Sequence, residues 1–75
     1  MSKYDLTNAE ERIAQSIKFV DRQRVVVQTL RDNSQDASGA EQLLASMERT
    51  LQTFRDHRTR IKEDLKYGRP SIVPT

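Results

Sequence analysis

Two apolar stripes of seven-residue period, separated by one polar break, constrain this 75-residue chain more than any other feature. The second stripe runs Ala40, Leu44, Met47, Leu51, Phe54, Arg58, Ile61, Leu65. Its steps alternate four and three without a fault, which is the seam of a coiled-coil-like helix. The first stripe runs Ile13, Ile17, Val20, Arg24, Val27 and closes at Leu30 or Arg31. Between them, Asp32-Asn33-Ser34-Gln35-Asp36-Ala37-Ser38-Gly39 has the composition of a turn. The expected fold is therefore all-α: a two-helix antiparallel hairpin that dimerises into a four-helix bundle.

Local signals set the expected boundaries. Thr7-Asn8-Ala9-Glu10 matches a capping box, with Thr7 as N-cap and Glu10 reaching back to its amide. Residues 1–6 then form an N-terminal arm, and the hairpin occupies 7–67. Helix one is expected over about 8–32, a turn over 33–37, and helix two over about 37–67. Val25-Val26-Val27 alone would suggest a strand. The shared face of Ile13, Ile17, Val20, Val27 and Leu30 argues for helix. Helix two has two possible caps, Asp36 and Ser38, of which Asp36 is favoured. Gly68 and Pro70 end it, and 68–75 reads as a flexible tail.

Folding about the turn sets Leu30 against Leu44, Val27 against Met47, Arg24 against Leu51 and Val20 against Phe54. Ile17 then meets Arg58, Ile13 meets Ile61, and Ala9 or Glu10 meets Leu65. The polar seam residues are Arg24 and Arg58. Their stems can cover the seam while the guanidinium groups reach solvent, with Glu48 placed to pair with Arg24. A polar seam residue can also set register. Phe19, Val26, the flank of Leu30, and Leu43 fall outside the main seams. They form the candidate interface, because an exposed apolar patch often marks one. The same seams would also be satisfied by a domain-swapped pair.

Size and composition support an interaction role. A hairpin of this length buries little and is marginal alone. The chain has no cysteine and one histidine, so disulfides and structural metal sites are not expected. The remaining source of stability is a second copy or a helical partner. No catalytic, cofactor-binding or metal-ligating residues are identified, and the chain is expected not to be an enzyme. No run approaches the ~20 apolar residues of a membrane span. The expected location is cytoplasmic.

Two sharper readings are weaker. Arg55, Arg58, Arg60 and Lys62 form a basic segment over 55–62 that could serve a nucleic-acid-binding accessory protein. However, Asp56, Glu63 and Asp64 interleave with it, and no aromatics accompany it. His57, followed by Arg58-Thr59-Arg60, resembles the phosphoacceptor helix of sensor kinases. It lacks the acidic residue directly after the histidine and lies on the second helix, not the first.

The run Asp36-Ala37-Ser38-Gly39-Ala40-Glu41-Gln42-Leu43-Leu44-Ala45-Ser46-Met47-Glu48-Arg49-Thr50-Leu51 resembles the start of the second helix in a group of small proteobacterial helical-hairpin proteins of unknown function. Glu11-Arg12-Ile13-Ala14, Arg22-Gln23-Arg24 and Leu30-Arg31-Asp32 are similar to that group's first helix. The similarity covers about residues 10 to 61. It implies a bacterial, cytoplasmic helical hairpin and carries over no ligand or catalytic residue. Ser34-Gln35 stands where Gly-His is usual in the group, a departure confined to the turn.

Overall fold

The computed structural model describes residues 3–67, and the expected tail at 68–75 lies outside them. Two helices, α1 (Lys3–Asp32) and α2 (Ser38–Tyr67), pack against each other as an antiparallel hairpin. The molecule is elongated, 54 × 23 × 12 Å.

The start of α1 corrects the sequence reading. Lys3 to Leu6 belong to the helix and are not an arm. Thr7 is interior: its Oγ1 donates to the Lys3 carbonyl at 3.1 Å instead of capping. The added turn half-buries Leu6 near the end of the hairpin away from the turn, where Ile61 is fully buried. That burial outweighs the local capping preference.

The turn is closed by backbone geometry. The Gln35 amide donates to the Leu30 carbonyl at 2.8 Å, and the Ser34 amide to the Arg31 carbonyl at 3.0 Å. This is the Schellman pairing, with Ser34 in the left-handed position at φ 56°. Asn33 adds its side-chain amide to the Thr29 carbonyl at 2.9 Å. At the start of α2, the Asp36 carboxylate accepts from the Ser38 amide at 2.9 Å. The Glu41 amide bonds the Ala37 carbonyl at 2.8 Å. Asp36 is therefore the capping side chain, and Ser38 is the first helical residue.

The seam of α2 follows its apolar stripe. Leu51 and Ile61 are buried, and Ala40, Leu44, Met47, Phe54 and Arg58 are half-buried. Leu65 is exposed and Asp64 is half-buried in its place. The seam of α1 differs from expectation. Apart from Asp5 and Asn8 in its first turns, its buried and half-buried residues are Leu6, Ala9, Ile13, Ser16, Val20, Gln23, Val27 and Leu30. Their spacing alternates three and four throughout. Ser16 and Gln23 take the positions expected for Ile17 and Arg24, which are exposed.

The register is also corrected. Gln23 Nε2 donates to the Ala40 carbonyl at 2.9 Å. In the expected layering Gln23 would stand level with Leu51, about 16 Å along the axis from Ala40 at 1.5 Å per residue. The two rows instead align one heptad away. Ala37 lies level with Leu30, Ala40 with Val27, Leu44 with Gln23, and Met47 with Val20. Carried along both rows, this alignment sets Leu51 level with Ser16, Phe54 with Ile13, Arg58 with Ala9, and Ile61 with Leu6. Several layers set a small residue against a large one, which is how close-packed rows interdigitate. Ala37 and Ala40 are small enough to let the first turn of α2 slide under Leu30. The hydrophobic cluster at the centre comprises Ile13, Val20 and Leu51, flanked by Leu44, Met47 and Phe54.

Candidate functional site

The two flanks of the seam differ in chemistry. On one flank, the Arg31 guanidinium holds Glu41 with Nη2–Oε1 at 2.9 Å. One heptad away, Arg24 lies 3.8 Å from Glu48 and 3.6 Å from Asp21. Arg24 is thus a flank residue, its side chain 59% exposed; the seam position belongs to Gln23. The sequence misplaced it because a polar seam residue sits beside a basic one, and hydropathy does not rank the two. These ion pairs are exposed and contribute little to stability, but they fill this flank with hydrated charge.

The other flank carries the apolar residues. Phe19 is 53% exposed and Leu43 is 49% exposed. They border one hollow of about 270 Å³, together with Ser16, Ser46, Met47 and Thr50. Val26, 44% exposed, continues the row two turns along α1. Three of the four candidate interface residues therefore share a flank. Leu30 does not: it is half-buried in the seam beside the turn. The residues that sequence reasoning missed are Ser16, Ser46 and Thr50, whose small side chains hollow out the space between Phe19 and Leu43. Strict three-four alternation from Ile13 would have placed Ser16 in the seam and exposed this arrangement.

The basic segment is split. Arg55 and Lys62, seven residues apart, are exposed on one side of α2 with the half-buried Arg58 between them at the seam edge, and Arg60 is exposed on the far side. His57 is exposed and borders a shallow hollow with Arg12, Asp56 and Arg60, and another with Asp5, Asn8 and Arg12. Asp56 accepts from Gln52 Nε2 at 3.0 Å. Among the described residues, no group of histidine and carboxylate side chains could hold a metal ion. Nor is any described helix long and apolar enough to cross a membrane.

The titration of Asp36 is clearly displaced. Hydrogen bonds from the backbone and side chain of Ser38 hold its carboxyl below the usual 3.8. This is the signature of a helix cap, not of a catalytic acid. The chain matches no family model, no curated protein and no solved structure.

Proposed function

We propose that this chain is a non-enzymatic helical interaction protein of bacterial, cytoplasmic origin, akin to the small proteobacterial hairpins described above. It acts by association of a coiled-coil-like helix face with itself or with a helical partner. One observation carries the reading: Phe19, Val26 and Leu43 stand roughly half exposed on a single flank of the hairpin. Fully burying a large apolar side chain contributes about 1.5–3 kcal/mol, so leaving three of them about half exposed forgoes roughly 2–5 kcal/mol, a sizeable part of a small domain's stability. A partner surface recovers it. The opposite flank, where Ile17 is 38% exposed among the ion pairs, offers less.

The nucleic-acid alternative draws less support, because Arg58 is half-buried in the seam, Arg60 lies on the far side of α2 from Arg55 and Lys62, and Asp56, Glu63 and Asp64 interleave with them. The phosphotransfer alternative draws less still, since His57 sits among arginines and carboxylates with no distinctive environment.

Light scattering across a concentration series tests the reading. The parent chain is expected to show a mass above the monomer, and Phe19→Asp or Val26→Asp to remove it while the circular dichroism of a helical chain remains. Association of both variants at the parental level would place the interface elsewhere.

A further inference from the structure

The apolar flank is a knob and a notch at one height. Phe19 is the knob. In the observed register it stands level with the stretch of α2 between Ser46 and Thr50, the two small residues that border the hollow beside it. Val26 stands nearly level with Leu43. A surface that carries a knob and its matching notch at the same height is self-complementary under a two-fold axis parallel to the helices.

We propose that the occupant of this flank is a second copy of the chain, with both turns at the same end of the assembly. The proposal rests on the interaction reading above and adds the partner and its orientation. Each α1 lies along the α2 of the other copy. Phe19 of each enters the Ser46–Thr50 notch of the other, and each Val26 meets a Leu43. Every neighbouring pair of helices is then antiparallel, as in an up-down four-helix bundle.

Two further observations favour this occupant. Phe19, Leu43 and Val26 are 53%, 49% and 44% exposed, and one two-fold contact covers all three on both copies at once. Charge decides the orientation. With the turns at opposite ends, α1 stacks on α1 about the centre of the patch and Arg22 meets its own mate. With the turns together, Arg22 faces the small and apolar Leu43–Ser46 stretch.

The test uses cysteine placement in a chain that has none of its own. Thr29 and Gly39 stand at nearly the same height on the outer side of this flank. A Cβ at Gly39 meets nothing within 4 Å, so a side chain fits there. The double variant Thr29→Cys/Gly39→Cys is expected to oxidise to a covalent dimer. The pair Asp21→Cys/Gln52→Cys, on the ion-paired side, is expected to give none. In the unmodified background, Ser46→Arg fills the notch without touching the seam. It is expected to raise the dimer Kd about a hundredfold, the loss typical of blocking a buried aromatic anchor.

A parent dimer in which the Thr29/Gly39 cysteine pair stays unlinked overturns the proposal and leaves self-association through another face. A helical parent that stays monomeric at about 100 µM, far above the micromolar limit of standard-sized interfaces, also overturns it and confines the interaction reading to a different helical protein.

Discussion

Ser34 is the residue whose backbone conformation is least suited to its side chain. At φ 56° it occupies the left-handed position of the Schellman turn, which costs an L-residue roughly 1–2 kcal/mol. Glycine avoids that cost but loses more chain entropy on folding. Ser34→Gly is therefore expected to stabilise the hairpin by about 0.5–1 kcal/mol, raising Tm by about 2–8 °C for a chain of this size. Thermal unfolding followed by circular dichroism reads this directly. Asp36, across the same turn, gives a pH prediction. Its folded pKa is depressed by the Ser38 hydrogen bonds. The cap therefore contributes stability that is fully present above the unfolded value and lost as pH falls through the lower folded value. The Tm difference between the parent and Asp36→Ala should be constant near neutrality and close on acidification below the usual 3.8. A gap that persists unchanged to pH 2 would mean the carboxylate is not what caps α2. Asp36 was legible from sequence because its capping chemistry is local. Thr7 was misread for the same reason: a valid local cap motif was overridden by the burial of Leu6, the residue just before it.

At the scale of the helix, periodicity was enough to identify both elements and to place the α2 seam from Ala40 to Ile61. It failed for α1 at two positions. Ser16 and Gln23 hold seam positions that hydropathy assigned to Ile17 and Arg24, because a row read by apolar content skips its polar members. The register then slipped by a heptad, since seven-residue rows match nearly as well one repeat away. What distinguishes the registers is a specific contact, the Gln23 carboxamide on the Ala40 carbonyl, which no periodicity reveals. The same difference separates Ile61 from Leu65, which share a stripe in sequence. Ile61 is fully buried and Leu65 is exposed. Ile61→Ala is expected to cost about 2–5 kcal/mol, the range for truncating a core aliphatic. Leu65→Ala should cost under about 1 kcal/mol, as surface changes do. Comparable losses from both, measured by urea unfolding, would mean that the α2 seam runs on to Leu65.

For the whole molecule, the decisive quantity is how little the hairpin buries on its own. Among the described residues seven hydrophobic ones are buried, and two of these, Ala9 and Ala37, contribute only a methyl group each. Chains of this size seldom stand on such a core without disulfides, a metal or assembly. The first is absent, since the chain has no cysteine. The described residues offer no group for the second. If assembly supplies the remainder, folding and association share one equilibrium, and anything that binds only the folded state makes Tm depend on concentration. Each tenfold increase in chain concentration then adds about 1.4 kcal/mol to the stability of the dimer, a rise of several degrees for a bundle of this size. Tm measured from micromolar to near-millimolar chain should climb steadily. Phe19→Asp should lower the curve and flatten it, because the variant folds as a solitary hairpin. A parental Tm that is independent of concentration would place the stability within the seam itself. The half-exposed Phe19, Val26 and Leu43 would then be a surface held open for a different protein.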